Sequence, residues 1–180
     1  MQKLNFLKPA LPLTVICVVI ALLLAVVNAV TADKITENAL IEKENAIKNI
    51  FTECQTFESA DASLFENSVS DAGKVFDADG NIIGYYADVA PVGFKGEIVL
   101  IVGTDTNGRV ISSALLSASE TPGVGTKATD ETYLSKFSGL KLADVPEVDT
   151  ITGATISSRA VRQGIASAVK TIEAIIKEGK

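Results

Sequence analysis

Small hydroxyl side chains are concentrated in one stretch near the end of the chain, DTITGATISSRAVRQGI, from Asp149 to Ile165. Threonines and serines surround a Gly-Ala pair there, and an amphipathic pattern begins directly afterwards. A helix start needs one such residue as its N-cap, because a side-chain oxygen satisfies a free backbone N–H group. A site that binds a phosphate, or is esterified to one, uses several hydroxyls. The stretch is therefore a candidate phosphate site.

The helix that follows is predicted to begin around Ser157, because apolar residues then recur at helical spacing, at Val161, Ile165, Ala168, Ile172 and Ile175/Ile176. Its first turn exposes unpaired N–H groups and the positive end of the helix dipole, which together favour a phosphate. Thr155 is placed to present its hydroxyl there, and Arg159 or Arg162 to add positive charge. Simple N-capping by Thr155 or Ser157 is the alternative, and the pattern leaves both open.

A second candidate segment is the loop SETPGVGTKAT, Ser119 to Thr129. Its proline stiffens the backbone, and its glycines permit a close approach that a Cβ atom would block. Such a loop can lie flat against a planar ligand, offering amide groups and polar side chains from the residues Glu120, Thr121, Pro122, Gly123, Val124 and Gly125. The alternative is a plain strand-to-helix connection that ends in a cap at Thr129 or Asp130.

The composition excludes several kinds of chemistry. The chain of 180 residues has a net charge of −6 and contains no histidine, so we expect no nucleic-acid partner and no histidine-based catalysis. Cys17 and Cys54 stand far apart, without the spacing of an iron–sulfur or zinc site. We expect no metal site and no catalytic residues of the chain's own. Any redox work therefore needs a bound cofactor.

The uncharged run from Pro9 to Ala32 exceeds the roughly 20 residues that a transmembrane helix needs. Because Lys3 and Lys8 precede it, we expect a single-pass protein of the cell membrane with a cytoplasmic N-terminus. The amphipathic stretch after Asp33 is predicted to be a helix that leads to the domain. A cleaved signal peptide is the alternative, since Val30-Thr31-Ala32 resembles a cleavage site.

The predicted organisation thus has four parts: a cytoplasmic N-terminus at 1–9, a transmembrane helix at 10–32, a juxtamembrane helix or linker at 33–60 and an extracytoplasmic domain at 61–180. Two turn signals, DADGN and TDTNG, lie between β-rich runs. Strands are predicted near 73–77, 82–90, 96–104 and 109–117, and helices near 130–137 and 157–177. Hairpins followed by helices predict an α+β fold with an antiparallel sheet.

A calcium loop at Asp77, Asp79 and Asn81 is the alternative to the first hairpin turn. The glycine that such a loop requires at its sixth position is replaced by Ile82. A hairpin is therefore the better interpretation. No GxGxxG or Walker motif occurs in the chain, so the common nucleotide sites are not expected.

Three motifs resemble those of the FMN-binding domain family. Asp149 to Thr155, DTITGAT, resembles the flavinylation motif D-x-x-[S/T]-G-A-[S/T], and Glu120 to Gly125, ETPGVG, resembles the family's flavin loop. GFKGEI, Gly93 to Ile98, resembles the glycine-rich strand entry before that loop. The motifs come in the family's order and span roughly residues 70–176. Relatives often carry a histidine where this chain has Ala118, so any contribution from that histidine is missing.

The resemblance implies that Thr155 is joined to FMN through a phosphoester bond. A separate transferase, which uses FAD and a divalent metal, makes that bond in the family. By the same resemblance, Thr152 and Ser157 help to bind the phosphate. The implied cofactor-binding set is Thr155 with Asp149, Thr152, Gly153, Ala154 and Ser157, together with Glu120, Thr121, Pro122, Gly123, Val124 and Gly125.

In length and in its single anchor, the chain is most similar to the G subunits of Rnf electron-transport complexes. These are related to the generally longer C subunits of the sodium-pumping NADH:quinone reductase. The similarity implies an electron-transfer subunit, without turnover of its own, of a ferredoxin:NAD oxidoreductase coupled to Na⁺ or H⁺ translocation, with other membrane and peripheral subunits as partners. A stand-alone anchored extracytoplasmic flavoprotein reductase and a non-redox anchored binding domain remain as alternatives.

Overall fold

The N-terminal part of the chain is a single long helix. In a computed structural model, which describes residues 7–178, helix α1 runs without a break over Leu7–Ile50. It combines the apolar run and the amphipathic stretch in one element. Side chains of the apolar run are exposed, for example Leu11 at 67% and Val30 at 71%. The helix is long and apolar enough to cross a membrane. Of the predicted cytoplasmic segment 1–9, residues 1–6 lie outside the described residues.

Five strands form an antiparallel meander, in the order β1 to β5. Their bounds are β1 Thr56–Ser59, β2 Val69–Phe76, β3 Ile82–Val89, β4 Ile98–Thr104 and β5 Val110–Ala118. Both predicted hairpin turns are present, between β2 and β3 and between β4 and β5. Asp77 and Asp105 each accept backbone N–H groups across their own turn. No group of residues that could hold a metal ion occurs within the described part of the chain.

The helices after the sheet include a short α2, Glu131–Leu134, and a long α3, Thr155–Glu178. One-turn 3-10 helices connect these elements, at Gly125–Thr129, Ser135–Phe137 and Val145–Glu147, and another lies before β2 at Ala62–Leu64. The predicted α+β class is confirmed by this architecture and by the fold comparison given below.

Apolar residues pack on both faces of the sheet, because side chains alternate between the faces along each strand. Tyr85 and Ala87 belong to the larger core, which also contains the buried stripe of α3. Tyr86, between them, belongs to a second core with Ile47 and Phe51, from the segment at the end of α1. Contacts divide the chain into two units, Met1–Glu42 and Lys43–Lys180, so this second core lies within the latter.

A partly buried charge cluster accompanies the second core. The ammonium group of Lys43 contacts the carboxylates of Asp71 on β2 and Asp88 on β3. Tyr86 donates its hydroxyl to Asp71 Oδ2 at 2.9 Å, and its ring lies beneath the Lys43 ammonium at 4.9 Å. Asp88 Oδ1 is buried without a hydrogen-bond partner among the described residues. One ammonium group thus contacts two carboxylates that have little access to water.

Several predicted boundaries differ from the structure. Strand β1 was not predicted, because its residues are mostly exposed and only pairing with β2 defines it. Strand β2 begins at Val69 rather than near 73, and the helix predicted near 130–137 is one α-helical turn followed by a 3-10 turn. Pairing partners and tertiary contacts decide such short elements, not local pattern. The divisions at 32/33 and 60/61 concern the membrane and the FMN domain, and they stay predictions.

Candidate functional site

The two candidate segments meet at one cavity of about 410 Å³. The loop after β5 forms one side and the start of α3 forms the other. The lining residues are Phe94, Glu120, Thr121, Val124, Gly125, Gly153, Ala154, Thr155, Ile156 and Ser157. Phe94 comes from the β3–β4 loop, so all three motif segments contribute. The cavity therefore brings together three segments that are far apart in the chain.

Helix α3 begins two residues earlier than predicted. The carbonyl of Ala154 accepts the first helical bond, from Ser158 N–H at 2.9 Å, so Ala154 is the N-cap residue. Alanine has no side chain that could cap a helix, and the N–H groups of Thr155, Ile156 and Ser157 have no acceptor within residues 7–178. The alternative of N-capping by Thr155 or Ser157 is therefore wrong. An uncapped first turn is suited to an anionic or polar ligand.

The turn before α3 is fixed by local geometry. Ala154 N–H donates to Ile151 O at 2.9 Å, and Gly153 has a φ of 84°, a conformation that favours glycine. The Ser158 hydroxyl donates to Ala154 O at 2.8 Å and accepts from Ile151 N–H at 3.1 Å. Ser158 was not predicted as a site residue. Its position shortly after the DTITGAT motif was the signal that could have identified it, because serines beside a turn commonly hydrogen-bond to the backbone.

Glu120 joins the three segments through its side chain. It is only 6% exposed, and its Oε2 accepts the Ser157 hydroxyl at 3.0 Å. Its Oε1 accepts the backbone N–H of Lys95 at 3.3 Å. A Cβ atom on Gly93 would collide with Oε1, and one on Gly125 would collide with Oε2. The glycines of the two loops therefore make room for this carboxylate, which was predicted only as a polar contact to the ligand.

Thr155 and Thr121 supply the hydroxyls that line the cavity without a hydrogen bond to any described residue. Thr155 is exposed at the first position of α3, whereas Thr121 lies in the loop after β5. Ser157, by contrast, is buried and bound to Glu120. Of the hydroxyls in and just after the DTITGAT segment, Thr155 is the one that is exposed, lines the cavity and belongs to the uncapped helix turn.

The rest of the cavity wall is apolar and unusually exposed. Phe94 is 70% exposed, Ile156 54% and Val124 49%. Exposed apolar side chains that gather around one cavity mark a place where a ligand or partner binds. Phe94 and Ile156 were not among the predicted site residues. The aromatic type and the position of Phe94 inside the GFKGEI motif were the signal for the first.

Among the described residues, no lysine or arginine lines the cavity. The Arg162 guanidinium donates instead to the carbonyls of Pro146 and Val148, at 3.0 and 2.9 Å. Arg159 is exposed and does not line the cavity either. Arg162 is therefore bound elsewhere, whereas a contribution of charge by Arg159, one helical turn after Thr155, stays a prediction.

The predicted site residues fall into two groups. The cavity brings together the set Glu120, Thr121, Val124, Gly125, Gly153, Ala154, Thr155 and Ser157. The remaining set, Asp149, Thr152, Pro122 and Gly123, lies in the adjoining turns and does not line the cavity. Gly123 N–H donates to the Thr126 hydroxyl at 2.9 Å, which closes the loop on itself. Contact of these residues with a cofactor stays a prediction.

Comparison with known proteins agrees with this geometry. Residues 93–170 match the model of the FMN-binding domain, and residues 1–50 match that of the RnfG N-terminal region. The G subunit of the ion-translocating oxidoreductase complex of Methanosarcina acetivorans is 32% identical, over 93% of this chain and 94% of the relative.

Two further proteins are similar. The G subunit of the Na⁺-translocating ferredoxin:NAD⁺ oxidoreductase complex of Acetobacterium woodii is 27% identical, over 94% of this chain and 93% of the relative. The crystal structure of NqrC from Shewanella oneidensis has the same fold, with a TM-score of 0.51 and 18% identity over 71% of this chain and 72% of that one. The chain therefore belongs to the family of G subunits of ion-translocating oxidoreductase complexes, and it contains an FMN-binding domain.

Proposed function

We propose that this chain carries FMN as a phosphoester on Thr155 and passes electrons within an Rnf-type ferredoxin:NAD⁺ oxidoreductase complex coupled to Na⁺ or H⁺ translocation. The observation that carries the proposal is the position of the Thr155 hydroxyl. It lies at the uncapped start of α3 and lines the same cavity as the ETPGVG loop. The chain has no turnover of its own in this proposal and acts only together with partner subunits.

The cavity fits both ends of FMN. Its apolar wall, with Phe94, Val124 and Ile156, suits the flavin rings. The free N–H groups at the first turn of α3 suit the oxygens of a phosphoester. When bound, the flavin supplies electron transfer, which the side chains of this protein lack.

Attachment at Thr155 requires another protein. The threonine oxygen would form a bond to the FMN-side phosphorus of FAD, while the pyrophosphate bond breaks and AMP leaves with the bonding electrons. The hydroxyl proton needs a base, and Glu120 is bonded to Ser157 and Lys95 rather than to Thr155. A separate FAD-dependent transferase with a divalent metal fits this lack of a local base.

The proposed location is the cell membrane, with α1 as a single span, the N-terminus in the cytoplasm and the FMN domain outside. The exposed apolar part of α1 and the two lysines before it support this arrangement. Protease digestion of intact spheroplasts tests it, because an external domain is cleaved while the membrane remains closed. Protection of the domain until the membrane is opened would contradict the proposal.

Intact mass after coexpression with a flavin transferase tests the attachment. The wild-type chain should gain about 440 Da, the mass of FMN less water, and become yellow. Thr155→Ala should remove both changes, and Thr155→Ser should keep them. Thr121→Ala is the matched control, since it removes the other unbonded cavity hydroxyl and should leave the mass gain intact.

A wild-type protein that stays colourless and unmodified beside an active transferase would refute the attachment. Purification from native membranes tests the complex: copurifying subunits support it. A protein that purifies without other subunits and reduces a soluble acceptor would instead favour a stand-alone flavoprotein.

A further inference from the structure

Glu120 contributes a carboxylate to the wall of the cavity. We infer that Glu120 makes the cavity selective against free FMN, so that the unmodified protein binds FMN no more tightly than riboflavin, which lacks the phosphate. The inference rests on the proposed function, since it concerns the same cavity. It concerns reversible binding, however, whereas the proposed function concerns the covalent bond.

The cavity lacks the groups that hold free phosphates. Phosphate sites combine amide N–H groups with lysine or arginine side chains. Here the first turn of α3 supplies amides, but the lining contributed by residues 7–178 contains no basic residue. Arg162 is held by two backbone carbonyls outside the lining. The single charged residue that the described part of the chain places in the wall is Glu120.

Glu120 is held where its charge acts on the start of α3. Its Oε2 accepts the hydroxyl of Ser157, which is in the first turn, and its Oε1 accepts Lys95 N–H. With 6% of its surface exposed, it is weakly screened by water. The carboxylate therefore offsets the positive end of the helix dipole, which a bound phosphate would otherwise use.

Repulsion by the Glu120 carboxylate is stronger for free FMN than for FMN esterified to Thr155. A phosphate monoester carries about −1.5 to −2 charges at neutral pH, because its second pKa lies near 6. A phosphodiester carries about one charge, so it meets less repulsion. Once FMN is esterified to Thr155, its phosphate is repelled less by Glu120, and the flavin can no longer dissociate. The same carboxylate that orders the site thereby discourages reversible loading.

Equilibrium titration of the unmodified full chain tests the inference. Protein made without the transferase is titrated in detergent with FMN and with riboflavin, and flavin fluorescence reports binding. The wild type should bind riboflavin at least as tightly as FMN. Glu120→Gln keeps the shape of the side chain and should raise the affinity for FMN about tenfold relative to riboflavin.

Glu53→Gln is the matched control, because it changes the net charge equally at an exposed position outside the cavity. It should leave the ratio of the two affinities unchanged. The comparison of FMN with riboflavin on the wild type does not depend on the folding of any variant. Wild-type protein that binds FMN more tightly than riboflavin would overturn the inference. So would a ratio that Glu120→Gln leaves unchanged, or an absence of flavin binding in both the wild type and Glu120→Gln. A different measurement tests the covalent proposal, which fails if the chain gains no mass in the presence of the transferase.

Discussion

Replacing Lys43 by methionine tests the charge cluster that joins the end of α1 to the sheet. The substitution keeps a long apolar side chain but removes the ammonium that contacts Asp71 and Asp88. The side chains of the three residues are 15%, 26% and 10% exposed, in that order. The change therefore leaves two neighbouring carboxylates with little water and no cation. Removal of one partner from a buried ion pair is strongly destabilising for this reason.

The expected loss is about 3 kcal/mol of unfolding free energy at neutral pH, the lower end for buried pairs, because Asp71 keeps some contact with water. Burial acts to lower the pKa of Lys43, but its hydrogen bonds to Asp71 and Asp88 outweigh this and raise it above 10.5. Burial acts to raise the pKa of Asp71, but the hydrogen bonds from Lys43 and Tyr86 hold it below 3.8. Burial raises the pKa of Asp88.

The direction of the pH dependence follows from these shifts. In the wild type, the contribution of Asp71 is present above pH 3.8 and is lost as the pH falls below that value, through the lowered pKa. The contribution of Lys43 is present below pH 10.5 and is lost as the pH rises through its raised pKa. Without Lys43, both carboxyl pKa values should rise, so protonation relieves the repulsion. The difference in unfolding free energy between variant and wild type should therefore shrink as the pH falls from neutral towards these raised pKa values.

Urea denaturation of the detergent-solubilised chain measures the loss, followed by tyrosine fluorescence. The chain has no tryptophan and three tyrosines, and Tyr85, Tyr86 and Tyr133 are all buried. Lys48→Met is the matched control on the same helix, since the Lys48 pair with Glu44 is exposed and its removal should leave stability unchanged. A loss below about 1 kcal/mol, or one that does not fall with pH, would refute this account of the cluster.

Three further substitutions test how the site and the sheet are fixed. Ser158→Ala removes the acceptor of Ile151 N–H and should cost about 1–2 kcal/mol in the same denaturation assay; an unchanged midpoint would show that water replaces the hydroxyl. Gly153→Ala places a side chain at a φ of 84°, so it should cost about 1 kcal/mol and lower the yield of flavin attachment by intact mass. A full yield would mean that the turn is not needed by the transferase. Gly84→Ala puts a Cβ atom against both the ring of Phe51 and the backbone carbonyl of Thr104, and should cost about 1–3 kcal/mol; wild-type stability would show that the ring and the neighbouring strand both give way.

Local information in the sequence was enough for the larger elements. The apolar run, the alternation within β3, the two turn signals and the stripe of α3 each depend on neighbours a few residues apart. The motifs around Glu120 and Thr155 likewise indicated two segments that line one cavity. These features were predictable because hydrophobic periodicity and turn chemistry act over short stretches of chain.

Tertiary structure decided which groups are free to act. Ser157 and Thr155 look alike in the sequence, yet Ser157 is bound to a carboxylate 37 residues away, whereas Thr155 faces the cavity. The partners of Lys43 and those of strand β1 also come from other parts of the chain. A hydrogen bond or ion pair depends on a separation of about 3 Å, which only the packing of remote segments sets. The amino-acid sequence by itself thus determined the larger elements and indicated the two segments that form the cavity, while the assembled fold determined which hydroxyl is available and which charges are buried.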